Sequence, residues 1–415
     1  MYITNERIQS AYRKLAEDSQ VRKALSFLEA DAEQTLREQI RFAEIPAPPF
    51  LEEVRATELK IQLQELGLED VQQDLQGNVF GLRKGTGSGP TLFVSAHIDS
   101  VFSAETETNV TERDGIYYGP GITDDARGLA ALLSIVRAFN ESGIETHGDL
   151  VFGGTVGEEG PGDLRGVKAF FTEQTNVDGF ISIDAVSPEA IVYKGTGSYR
   201  YEVTYSAPGG HSFQAFGTPS AVHAAGRATA KVAGLTPPKE PKTTFNVGVI
   251  EGGTIPTAIA ESCTLYVDIR SNGLAELEAL DGQVRQLFTE AAEEENAHFG
   301  YSEKDGVQVL IEKKGDRPVG AQPKDASCVQ TAWQATKALG LTPSLADAIS
   351  TDANYPISIG IPALTLGAGG ETGATHSLDE WYDPTDGHLG PQRIFLTILG
   401  LVGALDIEPQ LAKQI

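Results

Sequence analysis

The chain has 415 residues and only two cysteines, Cys263 and Cys328. Two thiols give neither a disulfide framework nor a zinc–thiolate cluster. Basic residues are also sparse: 32 Lys and Arg stand against 58 Asp and Glu, a formal net charge of −26. Nucleic acids and anionic membranes need a basic face to bind, so neither is expected as a partner, and the acidic excess reads as solubility. No run approaches the roughly 20 apolar residues of a membrane helix. The first residues, "MYITNERIQSAYRKLAEDSQ", mix charges with no apolar segment. No secretory signal is read there, and a cytoplasmic location is the expectation. Internal repeats, low-complexity linkers and a twelve-residue EF-hand loop are likewise absent from the pattern.

What is present supports packed cores. Hydrophobic residues make up 40%, and the length suits two domains, or one large domain with an insertion. Residues 1–72 carry apolar positions at helical spacing, as in "ATELKIQLQELGLE". From about residue 75, short apolar strands ("TLFVSAHI", "DLVFGGTVG", "GFISIDA", "PALTLGAG") alternate with helices such as "GLAALLSIVRAFNESG". That alternation predicts an α/β fold with a doubly wound, mainly parallel sheet. Between 195 and 315 the order becomes β-α-β-β-α-β, an α+β domain inserted between the two parts of the first, 1–194 and 316–415.

Chemistry-bearing residues collect where strands end. "FVSAHIDS" delivers His97 and Asp99, "GPGITDDARG" delivers Asp124 and Asp125, and "TVGEEG" delivers Glu158 and Glu159. Asp184 ends "GFISIDA", and His376 lies in "GAGGETGATHS". In open α/β sheets, ligands gather at the carboxyl ends of the strands. Taken singly, each residue has a plain reading: an N-cap, a turn acid, a solvated histidine. Gathered in one cleft, so many carboxylates repel unless a cation neutralises them. Imidazole and carboxylate donors without thiols suit zinc, with manganese or cobalt as the other candidates.

The motifs "SAHIDS", "GPGITDDARG", "GEEG", "SIDA", "PGGHSF" and "ATHS", in this order from about 45 to 400, resemble those of a co-catalytic zinc family. It includes peptidase T, glutamate carboxypeptidase, acetylornithine deacetylase and succinyl-diaminopimelate desuccinylase. The resemblance implies two Zn2+ ions held by His97, Asp124, Glu159, Asp184 and His376. In this assignment Asp124 bridges the metals, Glu159 and Asp184 complete one each, and His376 completes the second site. Glu158 becomes the general base, and Asp99 accepts from the far nitrogen of His97 to fix its tautomer. A cis peptide is implied between Asp124 and Asp125. His211 of "PGGHSF" becomes an oxyanion donor, usually from a partner subunit, which makes the inserted domain a dimerisation domain of a homodimer.

For the substrate, Arg270 and Arg317 resemble family arginines that grip a carboxylate, and Thr257 stands where many relatives have Asn. Asp184 stands where the family's deacylases tend to carry Glu and its aminopeptidases Asp. The resemblance therefore implies an exopeptidase acting on short peptides with a free amino end. An N-acyl-amino-acid deacylase with the same metal site is the alternative. A third reading, a non-catalytic peptide-binding relative, requires a lost ligand or base, and none is missing. "STDANYP" (Ser350 to Pro356) resembles a substrate loop with contacts left open. His147, His223, His298 and His388 match no motif.

Overall fold

The computed structural model describes residues 6–87 and 89–413. The chain divides into two compact units: one runs up to Gly195 and resumes at Gly320, and the other is Thr196–Val319. Four helices come first: α1 (Glu6–Glu17), α2 (Ser19–Ala30), α3 (Ala32–Ala43) and α4 (Glu53–Glu65). In α1 the buried residues Ile8, Ala11, Tyr12 and Leu15 form one helical stripe. Asp18 starts α2 by accepting the amides of Gln20 at 2.8 Å and Val21 at 3.1 Å, which lack helical partners.

Next come β1 (Glu69–Gln73), β2 (Val79–Arg83), β3 (Leu92–His97), and the short β4 (Thr111–Arg113) and β5 (Ile116–Tyr118). Helix α5 (Ala126–Ser142), β6 (Leu150–Thr155), α6 (Arg165–Glu173), β7 (Gly179–Ile183) and β8 (Ala190–Val192) complete this first stretch. The second unit holds β9 (Gly197–Ser206), β10 (Gly210–His211), α7 (Ala221–Ala233) and β11 (Thr243–Gly252). It continues with β12 (Ala258–Ile259), β13 (Ser262–Ser271), α8 (Leu274–Phe299) and β14 (Gln308–Arg317). The first unit resumes with α9 (Ser327–Ala338), β15 (Ser344–Leu345), α10 (Asn354–Ser358) and β16 (Ala363–Leu366). It closes with β17 (Glu371–Gly373), β18 (Trp381–Asp383) and α11 (Leu389–Val402).

The large sheet has the order β1-β2-β6-β3-β7-β16-β8-β15. Its centre, β6-β3-β7-β16, is parallel, as the βα alternation predicts. Every residue of β3 and β7 is buried, the pattern of strands covered on both faces. Alternation along β3 sends Val94 and Ala96 into the core shared with α5, and Phe93 into a second core shared with α6. There Phe93 stacks on Phe170 with ring centroids 4.0 Å apart. Burying each such ring stabilises the fold by roughly 2–3 kcal/mol. Helix α5 is buried except at Arg137, Asn140 and Glu141, so it is an interior helix. Among the described residues no helix is long and apolar enough to cross a membrane.

The second unit is a four-stranded antiparallel sheet of order β11-β13-β9-β14. Along β13 the inward side chains Cys263, Leu265, Val267 and Ile269 alternate with more exposed ones and pack with α7 and α8 in one core. The short pair β10–β12 adds to the six expected elements. Glu295 on α8 is buried and accepts from Arg227 at 2.9 Å and from the Ser220 amide at 3.1 Å; His223 Nδ1 lies 3.1 Å away. This ties α7 to α8 and gives His223 a structural place.

Candidate metal centre

The parallel register brings several strand ends together at one edge of the large sheet. His97, the last residue of β3, is paired with Thr155, the last of β6, and the chain then reaches Glu158 and Glu159. On the other side of β3, β7 ends one residue before Asp184, whose amide donates to Leu366 O at the end of β16, 3.2 Å away. Asp124 and Asp125 come in from the turn that opens α5, and the peptide bond between them is cis.

Asp124 lies at the middle. One carboxylate oxygen is 2.8 Å from His97 Nε2, and the other is 2.8 Å from His376 Nε2. His376 Nε2 is also 3.1 Å from Glu159 Oε1. One donor atom each from His97, Asp124 and Glu159 falls within a 4.8 Å cluster. His97 is 2% exposed, whereas the side chain of His376 is 54% exposed. His376 also has φ +65°, a left-handed conformation that costs a non-glycine residue roughly 1–3 kcal/mol and persists only where its surroundings impose it.

The second acid of the pair has a different task. Asp125 Oδ1 accepts the Gly128 amide at 3.0 Å and caps α5, and its Oδ2 accepts the His97 amide at 3.0 Å. One side chain thus fixes both the helix start and the end of β3.

Asp99 departs from expectation in its contact with His97. The main-chain carbonyl of Asp99, 3.0 Å from His97 Nδ1, is the acceptor that sets the ring's tautomer; the carboxylate is 3.7 Å away. The chain leaving β3 presents the carbonyl to the ring. The carboxylate instead accepts two consecutive amides, Glu158 at 2.9 Å and Glu159 at 2.8 Å. Both glutamates are buried, 5% and 8% exposed. The preceding Gly157 has φ +68°, and a Cβ there would lie 2.2 Å from Arg165 Nη1, so a side chain would be strained and would displace Arg165 where this loop leaves β6.

The electrostatics suit a cation. Burial, followed by the charge of Asp124, pushes Asp184 up to about 7. Burial likewise holds Asp125 well above the usual carboxylate range. Burial alone would lower His97, but the Asp124 and Asp99 carboxylates outweigh it and its pKa lies well above the ordinary value. His376, hydrogen-bonded to Asp124 and Glu159, is raised to about 10. The two histidine shifts express negative charge converging on a small volume, and the two aspartate shifts express first their burial. The donors are imidazole and carboxylate, and both cysteines are buried in cores elsewhere, so the set fits a borderline divalent cation such as zinc.

Two neighbours of the site have contacts that the sequence did not assign. Arg55 on α4 is buried and donates to Ile45 O at 3.0 Å and Ile98 O at 2.9 Å. Burial brings it down to about 10, opposed by Asp99 and Asp125. It is an internal countercharge that looks like any other arginine of an amphipathic helix. Asp352 of "STDANYP" is also buried and accepts the hydroxyl of Thr155, the register partner of His97. That loop therefore braces the floor of the centre.

The remaining candidates lie in the second unit. His211 is exposed on β10, and its Nδ1 accepts the Phe213 amide at 3.2 Å and the Gln214 amide at 3.4 Å. Thr257 accepts the Ser212 amide at 2.9 Å through its carbonyl, which sets it beside His211. Arg270 and Arg317 both pair with Ser198, on opposite sides of β9, so they share one row across the sheet. Arg270 also meets Asp268 at 2.7 Å. His147, His298 and His388 contribute to none of these clusters: His147 Nε2 lies 3.0 Å from Leu405 O, His298 packs on Phe299, and His388 opens α11.

Residues 93–398 match the model of Peptidase family M20/M25/M40. The chain belongs to this family. It is a metal-dependent peptidase or hydrolase with a cluster able to hold a metal ion. The uncharacterized protein YqjE of Bacillus subtilis is 26% identical over 354 residues, covering 75% of this chain and 84% of YqjE. Among solved structures, a tripeptidase of Staphylococcus aureus superposes with a TM-score of 0.74 at 22% identity, covering 88% of this chain and 97% of that one. YXEP of Bacillus subtilis, described as a dinuclear metal-binding M20 peptidase, gives a TM-score of 0.68 at 16% identity, covering 91% and 100%. At these identities the superpositions establish that this M20 chain has the same mixed α/β fold.

Proposed function

We propose that this M20 chain is a two-metal exopeptidase that hydrolyses dipeptides or tripeptides with a free amino end. The carrying observation is that Asp124 offers one oxygen to each of two histidines from distant parts of the chain. In this reading His97 and Asp184 would hold one divalent cation, Glu159 and His376 would hold the other, and Asp124 would serve both. Zinc is the first choice of metal, with cobalt or manganese as alternatives. When bound, the metals would acidify a water and polarise the scissile carbonyl.

The chain's own groups do the rest. Glu158 takes a proton from the attacking water and passes it to the leaving amine. Asp99 holds the backbone of Glu158 and Glu159 by accepting both amides, so base and ligand keep a constant offset. His211, supplied across a dimer, donates to the developing oxyanion. Arg270 and Arg317 take the substrate carboxylate, and Thr257 lies beside the oxyanion donor.

Asp184 in place of Glu favours a peptidase over a deacylase, and the solved tripeptidase shares the fold. Comparing kcat/KM for Ala-Ala-Ala and its N-acetylated form tests this. The free tripeptide should be the better substrate; preference for the acetylated form would move the protein to the deacylases.

The second unit supports a homodimer. Strand β11 lies at the edge of its sheet with Val249 and Ile250 exposed by 45% and 50%, an unpaired apolar edge open to strand addition. Light scattering at micromolar concentration should return twice the chain mass. A monomeric mass would overturn both the dimer and the role of His211 across it.

A further inference from the structure

Glu380 is fully buried, four residues past His376, and it stands outside the donor set. Its carboxylate accepts three hydrogen bonds from the segment that leads into Asp124. Oε1 accepts the Thr123 amide at 2.8 Å and the Thr123 hydroxyl at 2.7 Å, and Oε2 accepts the Gly121 amide at 3.2 Å. The backbone joins as well: Glu380 O accepts the Gly119 amide at 3.0 Å. The next residues, Trp381 and Tyr382 on β18, pair with Tyr118 and Tyr117 on β5. The segment before Asp124 and the segment after His376 are thus stitched into one piece, although the two residues are 252 positions apart.

We infer that Glu380 is a positioning residue that sets Asp124 opposite His376 and so builds the half of the centre that depends on both; this rests on the two-cation reading above. Three donors converge on its two oxygens and occupy three of the four lone-pair sites that an ionised carboxylate offers. Glutamine keeps the shape but turns an NH2 toward Thr123 or Gly121, where only acceptors are satisfied. Groups that orient ligands without touching the metal typically change its affinity 10–100-fold when replaced.

The test is a stepwise Co2+ titration of the metal-free protein, followed by visible absorption and calorimetry, for wild type, E380Q, T123V and H376A. Circular dichroism checks that each metal-free variant is folded. For E380Q, one of the two binding constants should weaken by about 10–100-fold while the other stays within about twofold. The weakened event should be the one that H376A abolishes, and excess Co2+ should restore kcat. T123V, which loses the hydroxyl donor but keeps the amide, should weaken the same event by a smaller factor, and it decides the matter if E380Q does not fold. Equal weakening of both events, or no change in either, overturns the positioning role alone. A wild-type chain that binds a single cation overturns the two-cation reading and this inference with it.

Discussion

Glu158→Gln is expected to keep metal content near that of the wild type while turnover falls by about 10²–10⁴, the usual contribution of a general acid–base group. The amide matches the carboxylate in shape but cannot take up a proton. The backbone anchor is unaffected, because Asp99 accepts the amide of residue 158 and not its side chain. Glu159→Gln should behave differently. Glu159 Oε1 lies within the donor cluster and 3.1 Å from His376, so the loss should appear first as weakened metal binding. Metal content by mass spectrometry and kcat at saturating metal separate the two. Equal loss of metal in both variants would show that base and ligand have been assigned the wrong way round.

Removing the metal should have the other large effect. Dialysis against a chelator should abolish hydrolysis, and adding back zinc, cobalt or manganese should restore it. The chain should also lose stability, because the charge of Asp124, Glu159 and Asp184 would then be balanced by His97 and His376 in place of two divalent cations. A ligand present at a thousand times its dissociation constant stabilises the folded state by about 4 kcal/mol. The corresponding fall in melting temperature is about 5 °C for a chain of this length. Calorimetry of metal-free and reconstituted protein checks this. An unchanged melting temperature together with full activity after chelation would rule out a metal centre.

Among the candidate metal ligands, His97 and Asp184 were legible as strand ends, since His97 closes "LFVSAH" and Asp184 follows "GFISI", whereas Asp124, before α5, and His376, after β17, were singled out by the motif resemblance. The sheet's parallel centre was legible for the same reason, since periodicity and glycine-bounded turns are local properties of a chain. Asp99 shows where such reading stops. Its proximity to His97 is evident at a separation of two residues, but which of its oxygens meets the ring depends on where the Glu158–Glu159 segment lies. The fold gives the carbonyl to His97 and the carboxylate to Glu158 and Glu159.

Arg55 and Glu380 mark the further limit. Each is an ordinary charged residue in its own segment, and each acquires its place only when distant segments pack: α4 beneath the loop at Ile98, and the strand pair β5–β18 around Gly121 and Thr123. The sequence alone determined the donor chemistry, the order of elements and the mainly parallel sheet, because these depend on residue type and local period. The tertiary structure alone decided which oxygen of Asp124 meets which histidine, what anchors the paired glutamates, and which buried charges surround them. Those relations join residues 27 to 257 positions apart, and a separation in sequence carries no distance until the chain has folded.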